Sequence, residues 1–85
     1  MVPVIIISTF PDKKTITKIA NQLVKKKLTA CVNITKISSV YSWKGKIENQ
    51  SEYLALFKTT KTKLRPLKKE LGKLHPYDEI GRAHV

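Results

Sequence analysis

The residues of this chain best able to do chemistry lie near its end. The segment HPYDEIGRAHV, residues 75–85, holds both histidines, His75 and His84, together with the carboxylates Asp78 and Glu79. Histidine and carboxylate side chains at this density suggest a metal site. However, a convergent site needs histidines one helical turn apart or paired cysteines, and the sequence has neither pattern.

One more soft ligand is available, the single cysteine Cys31. A single cysteine cannot form a disulfide within the chain, so the sequence favours the cytoplasm. A cysteine on a strand is more often a small buried side chain than a metal ligand, so we expect Cys31 to be buried. One Cys and one His far apart, without a Gly-rich phosphate loop, are weak evidence of catalysis, so we predict that the protein is not an enzyme.

The composition indicates one small, strongly basic domain. The chain has 85 residues, and 17 Lys and Arg against 6 Asp and Glu give a net charge of +11. Such a charge attracts nucleic acid, and we expect salt-dependent, sequence-independent binding, although lysines on solvated helix faces explain most of the excess equally well. No run of about 18 apolar residues is present, so we predict no membrane span.

The first half of the chain predicts a strand and then a helix. The β-branched run VPVIIIST, residues 2–9, is typical of a strand covered on both faces. Pro11 and Asp12 then signal a helix start, and apolar residues at helical spacing predict a helix over 12–27.

The second half predicts a long hairpin followed by a second helix. Residues 30–43 and 46–60 have β character and flank the turn Lys44-Gly45, with a slip of the apolar alternation near Thr35-Lys36 that suggests a bulge. A helix over 62–74 follows, and we expect Thr62 to be its N-cap.

The order β-α-β-β-α predicts an α+β fold, the ferredoxin-like sandwich with its last strand missing or disguised. Tyr53, Ala55 and Phe57 alternate with Leu54 and Leu56, so both faces of the third strand are apolar. Because both helices must pack on one face, the other face needs separate cover. A partner subunit is the simplest candidate.

A basic ferredoxin-like domain is also compatible with an RNA-binding module. Such modules stack bases on exposed aromatic residues of the central strands, a part that Tyr53 and Phe57 could play. The basic-Gly-aromatic strand motif of these modules is absent from the sequence. RNA binding therefore stays the alternative function.

Uncommon residues recur at several places along the chain: the segments ACVNI at 30–34, SVYSWKGKIE at 39–48, Glu52-Tyr53, Lys58-Thr59 and HPY at 75–77. In this order and at this spacing, the chain resembles the CutA family of divalent-cation tolerance proteins. The resemblance runs over residues 4–78.

This resemblance implies a cytoplasmic, non-enzymatic protein of metal tolerance that assembles as a compact homotrimer with its sheets facing inward. It also implies copper binding, reported for some members, with His75 and Cys31 as the candidate ligands here. The match departs from the family where a cysteine and a histidine would stand, at Ser8 and Leu74. We therefore expect any binding of copper or another divalent metal to be weak.

In a trimer, Trp43 beside the turn is expected to be a packing anchor between subunits. Tyr41, Glu48, Tyr53 and Lys58 are expected at the same interface or in a cleft between subunits. Glu48 and Lys58 could equally form a cross-strand ion pair.

Family members continue past HPY with a final strand and a C-terminal helix, which we expect to be missing from this chain. Residues 80–85, IGRAHV, are what a widely used sequencing adapter encodes in one reading frame. We therefore predict one CutA-like domain over residues 1–78 and a non-native tail over 79–85. On this interpretation His84 is not a ligand.

Overall fold

The computed structural model describes residues 2–74, which form three strands and two helices in the predicted order. In chain order the elements are β1 (Pro3–Phe10), α1 (Lys13–Lys25), β2 (Cys31–Trp43), β3 (Lys46–Thr60) and α2 (Lys61–Leu74). The strands make one antiparallel sheet in the order β1-β3-β2. The α+β prediction is confirmed, and the arrangement is consistent with a ferredoxin-like fold.

The core lies between one face of the sheet and the two helices. Side chains on a strand alternate between faces, so one set from β1 and one from β3 meet the apolar stripes of the helices. The rings of Phe10 and Phe57 lie at the centre of this layer, with centroids 6.3 Å apart. The fully buried side chains around them are Ile6, Ile16, Leu23, Ala55 and Leu67.

Helix α1 is closed at both ends by backbone and side-chain hydrogen bonds. At its start, Asp12 is the N-cap: Oδ1 accepts from the Thr15 backbone N–H at 2.7 Å and Oδ2 from the Thr15 hydroxyl at 3.0 Å. At its end, Lys27 has a φ of 60°, and the N–H groups of Lys27 and Leu28 donate to the carbonyls of Val24 and Leu23 at 2.9 and 3.0 Å. This is a Schellman closure with lysine where glycine is usual.

Helix α2 begins one residue earlier than predicted. It starts at Lys61, so Thr62 lies inside the first turn, and the expectation that Thr62 caps the helix is wrong. The Thr62 hydroxyl lies 3.0 Å from that of Thr60. Pro66 lies inside the helix, beyond its first turn, where its ring removes one backbone donor.

The register of the hairpin is continuous, which corrects the predicted bulge at Thr35-Lys36. Pairing runs without interruption from Cys31 opposite Lys58 to Trp43 opposite Lys46. The apolar alternation slips because Val32 and Ile34 contact the helix-covered core, whereas Ile37 lies on the opposite face. The apolar side chains change face there, and no extra residue is inserted.

We expect Asp12→Ala to lower the stability of the fold in a pH-dependent way. The hydrogen bonds from the Thr15 backbone and then the Thr15 side chain hold the pKa of Asp12 below its ordinary value of 3.8. Because the folded-state pKa is depressed, the stabilisation is complete above pH 3.8 and disappears as the pH falls through the folded-state pKa.

Thermal melts at several pH values test this cap. Asp12→Ala should lower the Tm by about 5 °C at pH 7, and by much less near pH 2. Asp12→Asn retains an acceptor oxygen, so its Tm should fall by less than that of Asp12→Ala at pH 7. Equal losses at both pH values would show that the carboxylate charge is not the stabilising feature.

Candidate functional site

The face of the sheet away from α1 and α2, hereafter the open face, carries most of the predicted site residues. Directly paired residues share a face, so Cys31 and Lys58 lie on it together at one end and Tyr41 and Glu48 at the other. Beside Lys58, the half-buried side chains of Ile5, Ile7, Leu54 and Leu56 form an apolar patch over which no described helix packs. Further along, towards Tyr41 and Glu48, the face is mostly polar, with Ser39, Gln50 and Glu52.

The hairpin extends well beyond β1, which ends with Phe10 opposite Tyr53. The outer part, residues 37–52, is hereafter the arm. It is two-stranded among the described residues, and isolated two-stranded ribbons are marginally stable in water. Lys44 and Gly45 form its tip with φ values of 51° and 78°, the left-handed conformations that a tight hairpin turn needs.

The arm exposes large apolar side chains on both faces. On the open face, Trp43 is 57 % exposed and Tyr41 40 %, while on the other face Ile47 is 69 % and Val40 67 % exposed. The Tyr41 hydroxyl donates to Gln50 Oε1 at 2.7 Å, and Lys44 Nζ lies 5.7 Å from the centre of a Trp43 ring. Exposed apolar groups concentrated on one ribbon are typical of an interaction surface.

Tyr41, Trp43 and Glu48 are brought together, but the remaining interface candidates are not. Glu48 and Lys58 lie on the same strand, β3, so the cross-strand ion pair considered for them is wrong. Ten residues of strand place them about 33 Å apart. Tyr53 lies on the opposite, helix-covered face, half-buried against the core. Within one chain, these residues do not form a single cleft.

Cys31 is exposed at the start of β2, so the expectation that it is buried is wrong. The loop that precedes it is tied to β3, because the Thr29 hydroxyl donates to the carbonyl of Lys58 at 2.7 Å and that of Thr59 to the carbonyl of Leu28 at 2.7 Å. Its Sγ lies 3.9 Å from Asn33 Oδ1, a long, weak contact.

No group of three His, Cys, Asp or Glu side chains that could hold a metal occurs within residues 2–74. His75 and the tail predicted over 79–85 lie outside the described residues, so both calls stay predictions. Ser8, one of the two positions where the resemblance suggested a lost ligand, is buried on the helix-covered face and is 1 % exposed. It is therefore not on the same face as Cys31.

The two aromatic residues that the RNA-binding alternative requires lie on the helix-covered face and are wholly or partly buried. Phe57 is fully buried in the core, and Tyr53 packs against that core on the same face. Bases need an exposed ring. The structure therefore removes the specific support for that alternative on the central strand.

Comparison with known proteins agrees with this architecture. The model of the CutA1 divalent ion tolerance protein family matches residues 4–81. The chain belongs to this family. Among described helices, none has both the length and the apolar character that a membrane crossing requires.

Individual relatives agree along most of the chain. The divalent-cation tolerance protein CutA of Thermotoga maritima is 44 % identical over 75 residues, which are 88 % of this chain and 74 % of that protein. A crystal structure of Pyrococcus horikoshii CutA superposes with a TM-score of 0.90 at 35 % identity, covering 96 % of this chain and 81 % of that one. The structure of CutA from Synechococcus elongatus superposes with a TM-score of 0.94 at 31 % identity, covering 98 % of this chain and 74 % of that one.

Proposed function

We propose that this chain acts as a non-enzymatic protein of divalent-metal tolerance that works as a homotrimer in the cytoplasm. The observation that carries the proposal is the family match over residues 4–81, together with relatives named for tolerance of divalent cations. The single cysteine, which cannot form an intrachain disulfide, supports a reducing compartment.

The apolar open face supports assembly. Ile7, Leu54 and Leu56 lie side by side at the middle of the sheet, and the arm adds Trp43 and Tyr41 on the same face. An apolar surface of this kind gains about 25 cal/mol for each Å² removed from water. Packing the open face of one copy against another copy supplies the cover that α1 and α2 give to the opposite face.

The surroundings of Cys31 support a role without catalysis. A nucleophilic cysteine needs a base within hydrogen-bond reach, usually a histidine. Among the described residues 2–74, those beside Cys31 on the open face include Lys58 and Asn33. Neither is a general base of the kind that activates a thiol.

Metal binding by this chain is proposed to be weak. Cu(I) prefers soft sulfur ligands, and Cys31 is the one cysteine of the sequence, placed beside an amide rather than a second soft donor. Trimer symmetry could bring three copies of one ligand together. That is the route by which Cys31 or His75 would contribute to a shared site.

A growth experiment tests the proposed function. In cells whose own CutA-family gene has been deleted, expression of this chain should restore growth at an inhibitory concentration of copper or another divalent cation. The empty vector is the control. Failure to restore growth, with the protein present and assembled in the same cells, would contradict the proposal.

We predict that copper binds to the purified chain with micromolar or weaker affinity. Titration of Cu(I) and Cu(II) against a competing chelator measures it, and Cys31→Ala should weaken Cu(I) binding further because it removes the soft donor. A tight site that survives both Cys31→Ala and His75→Ala would show that the ligands are elsewhere.

Trp43→Ala should weaken assembly while leaving the fold of each subunit intact. An aromatic anchor at an interface commonly contributes 2 kcal/mol or more, so the dissociation constant should rise at least about tenfold. Sedimentation velocity measures the change, and far-UV circular dichroism should show unchanged strand content. Lys36→Ala, also on the hairpin and exposed, is the matched control and should assemble normally. An equally stable assembly with Trp43→Ala would show that the indole is not an anchor.

A further inference from the structure

The positive charge of this protein is concentrated on its helices. Of the 17 Lys and Arg, twelve lie within residues 13–27 and 61–74. The acidic residues on or next to these segments are Asp12, which caps α1, and Glu70. The helix layer therefore carries most of the net charge of +11.

Six of these cations form two rows that point away from the core. Helical spacing places them opposite the buried stripes centred on Leu23 and Leu67, and all six are exposed. The rows are Lys14, Lys18 and Lys25 on α1, and Arg65, Lys69 and Lys73 on α2. Together they are hereafter the basic face.

Few of these charges are neutralised within residues 2–74. Glu70 accepts from Lys26 at 2.7 Å, across the gap between the helices, and lies 4.0 Å from Lys73. The Lys26 contact holds the pKa of Glu70 below its usual range. Lys26 lies beside the rows, so this pair joins the ends of the two helices without using a cation of the α1 row. Within residues 2–74, no acidic side chain lies within 4 Å of the side-chain nitrogens of Lys14, Lys18 and Lys25.

We infer that the basic face is a docking surface for duplex nucleic acid, contacted through its phosphates. Lys14 and Lys25 are eleven residues apart, so the α1 row spans about 16 Å. That length of duplex carries on the order of ten phosphates. The axes of packed helices lie about 8 to 10 Å apart, and the grooves of a DNA duplex are about 6 to 12 Å wide. The two rows can therefore lie on either side of a groove, each along one phosphate backbone.

The chemistry of the face distinguishes a duplex from other anionic partners. A membrane-surface helix inserts an apolar face, but the apolar stripes of α1 and α2, which include Ile16 and Leu71, are buried against the sheet. Single strands are held by stacking on aromatic rings, and the exposed aromatics of the described chain, Tyr41 and Trp43, lie on the arm. A face of cations alone contacts phosphates without reading bases.

This surface does not depend on the proposed metal function. The basic face and the open face lie on opposite sides of the sheet, so subunits packed through their open faces leave the helix layers directed outward. Binding and assembly can therefore be measured separately on the same protein.

The test is a salt titration of binding to a fluorescently labelled DNA duplex of mixed sequence. The full chain should bind at 50 mM salt, and the logarithm of its association constant should fall linearly with that of the salt concentration. The triple variant Lys14→Gln, Lys18→Gln, Lys25→Gln should bind at least tenfold more weakly and reduce the slope by about 3. Replacing the same three residues with Arg should preserve both values.

A matched control removes the same charge elsewhere. Lys27→Gln, Lys36→Gln and Lys61→Gln, all exposed and outside both the basic face and the arm, should leave the slope within about 1 of that of the unsubstituted chain. Equal losses in the two triple variants would overturn the inference, because net charge and not its placement would then govern binding. Tighter binding to a single strand of the same sequence, or to anionic vesicles, would also overturn it.

Discussion

The rest of this structure depends on the central strand, β3, which is apolar on both faces while the helices cover only one. Ala55 and Phe57 are fully buried beneath α1 and α2, whereas Leu54 and Leu56 lie on the open face. Two helices of ordinary length cannot wrap both sides of a three-stranded sheet. Among residues 2–74, the apolar side chains on one face of β3 therefore lack the helix cover that the other face has, which is the physical basis of the proposed assembly.

The other unusual features are arranged around this constraint. The arm extends the open face past the end of β1 and places Trp43 and Tyr41 where a single subunit gives them little cover. On the opposite side, exposed lysines and an arginine cover the outer surface of the helices. The sheet thus separates an apolar face suited to association from a basic face suited to solvent and polyanions.

Local patterns in the sequence predicted the elements because each has a distinct physical signature. The β-branched run of β1, the helical stripe through Ile16 and Leu23, and the Lys44-Gly45 turn all lie where expected. The sequence also predicted that β3 is apolar on both faces. Successive side chains of a strand point to opposite faces, so the consecutive apolar residues at 53–57 must occupy both. Most of the residues that suggested the CutA family from the sequence lie in β2 and β3, and the match of the family model to residues 4–81 confirms that family.

Features that depend on which face a side chain occupies were harder to predict. The apparent bulge near Thr35-Lys36 is a change of apolar face in a continuous ladder, and the sequence pattern is the same for both. Exposure of Cys31 follows from its place at the end of the sheet beside Lys58, and Tyr53 belongs to the core because its partner is Phe10. The sequence alone could have excluded the ion pair between Glu48 and Lys58. Both residues fall within the predicted strand 46–60, and residues of one strand cannot form a cross-strand pair with each other.

The central claim is that copies of this chain cover one another's open faces, and sedimentation equilibrium of the unsubstituted protein tests it most directly. The chain has a mass of 9.7 kDa, so the account predicts a single species of about three times that mass at micromolar concentration in physiological salt. Its mass should persist in high salt, because apolar contacts are not weakened by screening. A folded, soluble species of 9.7 kDa across the whole concentration range would contradict the account.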